Sequence, residues 1–387
     1  MKKDIFLALF FMLSGGALIA ALPTSPLNEE YTITGNETVN GQWYQHYQVG
    51  DNGILNIYGE GAMLTVNYGH NYSPTFSGSG IVNVGSDTDF GRLVVTSAEA
   101  FEDGWNNIIN FTGTINVGYL GDFSISGEFP SHYGTIFSIR NLNIDGTVSV
   151  MPSIQNNVSY FEVGNLNLSK DGMFTSEIDI QMTGNGVYNI YGNGLNAPRI
   201  RISQGESNVI NLNGENLLSN IKTIDFQSYG GYLRINAYAD NTLNGFTFTS
   251  NAKLGISVSA GETLIIDNLK IESTNVSNVA IEFYDYTNGS FGIGDSDVWI
   301  EDNRLYIPST DTYVDLIAYD AEGSVLSGIW CLSIGTAIQT RLCSTRPFLS
   351  RLFLLLYSED LRCFARCAMG GVRVAGSFPE AAHLPSY

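Results

Sequence analysis

Cysteine is absent from the first 330 residues of this 387-residue chain; Cys331, Cys343, Cys363 and Cys367 all lie in the last 57. The body from Leu22 to Gly328 therefore cannot be held by disulfides, and its stability must come from packing. Charge is also scarce, at 14%, and lopsided: 38 acidic against 18 basic residues leave a formal net charge of −20. Such a polyanion is repelled by nucleic acid and by anionic membrane surfaces, so neither is an expected partner. Histidine is confined to His46, His70, His132 and His383, and the first three sit in separate segments without ligand spacing. Cys363 and Cys367 have three residues between them and no second pair at zinc spacing. No metal site and no cofactor is expected. The apolar stretch at 352–357 is too short to cross a bilayer.

What the sequence does have is a repeat. Leu55-Asn56-Ile57 returns as Val82-Asn83-Val84, Ile115-Asn116-Val117, Leu142-Asn143-Ile144, Leu166-Asn167-Leu168, Tyr188-Asn189-Ile190, Ile210-Asn211-Leu212 and Ile235-Asn236-Ala237. Successive Asn residues are 27, 33, 27, 24, 22, 22 and 25 apart. Recurrence at that period signals stacked supersecondary units. In a strand, alternate side chains face opposite ways, so each triplet turns two apolar residues inward and its Asn outward. The 42 Gly residues and frequent Asn supply the tight turns between strands. The expected fold is all-β: a single-stranded right-handed parallel β-helix, or β-solenoid, with terminal caps and an irregular C-terminal tail.

In chain order, Lys2 and Lys3 precede an apolar run from Ile5 to Ala21, which reads as a secretory signal peptide at 1–21. Residues 22–52 are expected to cap the open end, with the aromatic Trp43-Tyr44-Gln45-His46-Tyr47 covering it. Repeats fill 53–290. Within them, 97–105 is rich in helix formers closed by Gly104, predicting one or two inserted helical turns. Leu217, Leu218, Ile221 and Ile224 are expected to form a second inward face. A terminal β cap at 291–328 comes next, carrying Val298-Trp299-Ile300, Leu305-Tyr306-Ile307 and Val314-Asp315-Leu316-Ile317.

Composition breaks near residue 330. Asn does not occur after Asn303, and six of the twelve Arg residues lie between Arg341 and Arg373. At the break, Cys331-Leu332-Ser333-Ile334-Gly335-Thr336 resembles the first block of a Hint domain, the autoprocessing module of hedgehog proteins and inteins. That resemblance covers about ten residues (329–340) and implies that Cys331 attacks the Trp330 carbonyl to form a thioester, which needs a thiolate beside a strained carbonyl and a general base. A complete module is much longer than the 57 residues from Cys331 to Tyr387. Its Thr-x-x-His block also has no counterpart, because His383 is preceded by Glu380, Ala381 and Ala382. The module is read as truncated, with at most vestigial self-cleavage at Trp330-Cys331, and 341–387 as a non-native or disordered tail. The signal peptide, low cysteine content and repeats also resemble an autotransporter-type adhesin passenger without its membrane barrel.

Many β-helix proteins act on polysaccharides, which requires paired carboxylates. Asp87 with Asp89 and Asp295 with Asp297 are the closest pairs, and both read more simply as turn formers. The sequence therefore points to a secreted or cell-surface structural or adhesive protein. Its outward amides and tyrosines suit a surface glycan or matrix component; its oligomeric state stays open.

Overall fold

The structure, a computed structural model, describes residues 22–344 apart from 24, 41–45, 69–74, 98–106, 130–135, 155–159, 204–206, 227–230, 249–251, 273–278, 285–288, 295, 302–303, 309–310, 321, 326–329 and 337. Of its two units, Met1–Thr345 and Arg346–Tyr387, the second lies outside the described residues. The signal peptide, the Trp43–Gln45 aromatics, the helical insertion and most of the tail also fall outside them.

The described residues form strands and turns without a helix, wound into a parallel β-solenoid. Three faces of parallel-paired strands run along it. The first, here the Asn face, begins with Glu30–Ile33 on Ile54–Ile57 in parallel register, so the stack starts inside the expected cap. It continues through each of the eight triplets, from Ile81–Val84 to Tyr232–Ala237. Lys253–Val258, Ala280–Phe283 and Thr312–Ala318 extend it further. A second face includes Tyr47–Val49, Phe76–Gly78, Asp179–Met182, Ile221–Phe226 and Phe246–Phe248. A third includes Asn36–Asn40, Met63–Tyr68, Gly91–Ser97, Gly121–Phe129 and Thr147–Ile154. Long strands such as Ile136–Ile144 serve two faces in succession, bending at Ile139/Asn141 where the register shifts.

The inward residues explain the stack. Leu55, Ile57, Val82, Val84, Leu142, Ile144, Leu166 and Leu168 are fully buried, as their alternation requires. Phenylalanines fill the width: Phe226 stacks on its register partner Phe248 at 5.5 Å and 6°. Leu217, Leu218, Ile221 and Ile224 are buried as expected, although Leu217 and Leu218 sit in a turn rather than a strand. At Gly78, the last residue of its strand, φ is +142° and an added Cβ would run into the Val49 backbone, so this strand end admits only glycine.

After the stack, Trp299–Glu301, Arg304–Ile307 and Thr312–Ala318 form an antiparallel meander. Ser290–Ile293 pairs in parallel with Thr263–Ile266, and Phe291 and Ile293 keep the inward alternation.

Candidate functional site

On the Asn face the outward residue of every triplet falls in one column. Each amide reaches back one turn: Asn83 Nδ2 donates to Asn56 Oδ1 at 2.8 Å, Asn116 to Asn83 at 2.8 Å and Asn143 to Asn116 at 2.7 Å. Asn167 donates to Asn143 at 2.6 Å, and Asn189, Asn211 and Asn236 each donate to the preceding Asn at 2.7 Å. The sequence gaps of the repeat are the sequence separations of these seven bonds. All run the same way, so the amide dipoles add. Their donor end meets a carboxylate, Asn56 Nδ2 donating to Glu30 Oε1 at 2.8 Å. Their acceptor end meets a cation, Arg234 Nε donating to Asn236 Oδ1 at 2.9 Å. Charges of these signs at these ends oppose the ladder's dipole as capping charges oppose a helix's.

Past Asn236 the column changes chemistry. Ser257 is next in register, and Tyr284 and Tyr319 come after it, each one residue beyond a paired position. Tyr284 and Tyr319 stack at 5.3 Å and 14°, and the Arg234 guanidinium lies 4.9 Å from the Tyr284 ring centroid. Tyr284 Oη donates to Glu282, which lies 3.8 Å from Lys253 Nζ. Burial, then the hydrogen bonds with Glu282 and Tyr232, push the Tyr284 hydroxyl above its ordinary pKa. Gly255 makes room for this cluster, since a Cβ there would meet the Tyr232 hydroxyl.

The second face carries the densest charge. Arg199 Nε lies 3.1 Å from Asp179 Oδ2, and its Nη1 donates to Asp225 Oδ2 at 2.9 Å. Arg201 lies over the Tyr160 ring at 5.0 Å, with Asp179 at 4.0 Å. Burial opposes the Arg199 charge, but the Asp225 and Asp179 carboxylates outweigh it and raise the pKa; burial dominates at Arg201 and lowers it. This brings two carboxylates together, which the sequence did not reveal. Arg199 bridges both and Arg201 also reaches Asp179, an arrangement of ion-pair straps between turns rather than of a free acid and base.

The residues singled out from sequence are dispersed. Trp330–Thr336 pairs antiparallel with Ile338–Ser344, placing the backbone of Cys331 opposite Cys343. Ile338–Ser344 also pairs with Ser290–Ile293, so strand structure crosses the 340/341 boundary. Asp89 lies in a turn where its own N–H donates to Ser86 Oγ at 2.9 Å, and Asp87 is exposed beside it. Asp297 and His46 are exposed; Asp295, His70, His132 and His383 are outside the described residues. Among the described residues, no three His, Cys, Asp or Glu side chains converge on a metal position. Comparisons with known protein families, with curated proteins and with solved structures returned no match.

Proposed function

We propose that this chain is an exported structural or adhesive protein whose working part is the solenoid, followed by a Hint-like block at Cys331 that is inactive. The amide ladder is the observation that carries the reading. Eight outward amides bond to one another across eight turns, so the face is built to keep turns in register rather than to hold a substrate. The basic start and apolar run at 1–21, and a body free of cysteine, suit export and folding without disulfides. A surface glycan or matrix component is the partner this reading favours.

Intact mass tests both halves. Expressed with its own N-terminus in a bacterial host, the full chain and its Cys331→Ala variant should both be recovered outside the cytoplasm. Each should begin near Leu22 and retain the residues after 330. Retention in the cytoplasm with 1–21 attached would overturn export. A wild-type product ending at Trp330 that disappears in Cys331→Ala would overturn the inactive module.

A further inference from the structure

The solenoid corner between the Asn face and the third face differs from the faces beside it. Phe90, Tyr119, Tyr191 and Tyr238 lie in turns leaving the Asn face and are 59%, 58%, 51% and 53% exposed. They are four of the five aromatic residues left largely exposed among the described residues; the fifth, Tyr313, is in the meander. A strand-forming or core role explains none of the four, because they lie outside the strands and their rings face solvent. Register fixes their placement. Asn83, Asn116, Asn189 and Asn236 precede them in their respective turns, so they occupy the second, third, sixth and eighth triplet turns. With about 4.8 Å between turns, they span roughly 29 Å along the solenoid axis.

The turns without an exposed ring carry exposed carboxylates: Glu60, Asp145, Asp171 and Glu215 occupy the first, fourth, fifth and seventh. Asp87 and Asp240 add carboxylates beside Phe90 and Tyr238. Every triplet turn thus presents a ring or a carboxylate on this corner, and the one base among its described residues is Lys170. No three of the acids converge on a point charge. Charge spread at turn spacing suits a partner whose own cations are spread along a chain. Exposed aromatic faces suit sugar rings and attract ammonium groups.

We infer that this corner binds a linear polysaccharide bearing free amino groups, its sugar faces against Phe90, Tyr119, Tyr191 and Tyr238 and its ammonium groups against the intervening carboxylates. The inference deepens the adhesive reading above and rests on it. A basic polypeptide would use the carboxylates but has no comparable need for rings spaced along the axis.

The test is calorimetric titration of the purified full chain with a fully deacetylated glucosamine hexamer, the fully N-acetylated hexamer and hexalysine. The deacetylated hexamer should bind, with at least a tenfold advantage over the acetylated one. Tyr191→Ala/Tyr238→Ala should weaken it about tenfold with the unfolding midpoint unchanged, since both rings are exposed. Asp145→Asn/Asp171→Asn should weaken it and flatten its salt dependence. Absence of binding by the wild type overturns the inference. So does binding that the tyrosine substitutions leave unchanged, or hexalysine binding as tightly as the amino sugar. Because this titration uses purified protein, its failure is distinguishable from failure of export, which intact mass reads separately.

Discussion

The eight triplet turns and the three strands beyond them on the Asn face share one backbone arrangement but are tied together differently outside. In the triplet turns the outward column is amide to amide, each bond 2.6–2.8 Å. Beyond Asn236 it is Ser257, then Tyr284 stacked on Tyr319, with Arg234 and Glu282 closing the cluster. Inside, the two regions match: Leu254, Ile256, Ile281 and Phe283 are as buried as Leu142, Ile144, Leu166 and Leu168. The inward alternation is therefore what makes the stack, and the outward column is a replaceable fastening. An amide serves because one donor and one acceptor on the same side chain reach its copies one strand spacing above and below. A ring serves because offset-stacked rings sit about 4.5–7 Å apart, a range that includes that spacing.

If the interior is equivalent in both regions, the largest substitution effects should be equal in them. Leu166→Ala and Leu254→Ala each empty a fully buried position, and each should cost about 2–5 kcal/mol in urea unfolding. A much smaller loss at Leu254 would break the comparison, showing that the later strands are held mainly from outside.

Alkali separates the two fastenings, because amides do not titrate and phenols do. Tyr284 is held above its ordinary pKa at the aromatic end. In the triplet turns the phenol at stake is internal: Tyr188 is fully buried and donates to the Val163 carbonyl at 3.1 Å, and burial raises its pKa well above 10. The unfolded chain releases these protons from about pH 10. Above that pH the folded state holds more protons than the unfolded, so stability is complete below pH 10 and falls as pH rises. The slope should be about 1.4 kcal/mol per pH unit for the fully buried Tyr188, and smaller for the part-exposed Tyr284, which solvent screens. Tyr188→Phe should remove one tyrosine's share of the slope between pH 10 and 12 in urea midpoints. An unchanged slope would show that Tyr188 ionises freely in the fold.

The Asn column was legible in the sequence because all eight copies share one local pattern, apolar-Asn-apolar. Its continuation was not, since Ser257, Tyr284 and Tyr319 do not repeat the apolar-Asn-apolar pattern and join the column only through register. The ends of the ladder were hidden for a related reason. Glu30 lies 26 residues before Asn56, and the triplet of Asn236 gives no sign that Arg234 turns onto it. The Arg199 straps join Asp179 and Asp225 across neighbouring strands of the second face, where the spacing between copies varies and no motif repeats. The exposed corner was obscured in the same way: its turns differ in length, so exposed aromatic residues at irregular sequence spacing fall in turns that leave the same face. Local alternation shows which way a side chain points, whereas only the register shows what it meets.

The smallest effects test whether the fastening is modular. Asn143 donates to Asn116 and accepts from Asn167, and it is half-buried. Asn143→Ala should therefore cost about 1–2 kcal/mol, below the value for two fully buried bonds because water can reach the freed groups. Ser257→Asn tests the opposite direction. Ser257 sits one turn past Asn236 in register, and Asn236 Oδ1 has a second lone pair beside the one used by Arg234. A new amide there should donate to it and extend the ladder by one turn, raising stability by about 0.5–1 kcal/mol. Slower amide exchange in Lys253–Val258 would locate that gain. A neutral result at Ser257 with the full cost at Asn143 would mean that Arg234 ends the ladder by occupying the acceptor. A loss at Ser257 would mean that the aromatic cluster needs the smaller residue, and the column would then be two separate fastenings rather than one interchangeable series.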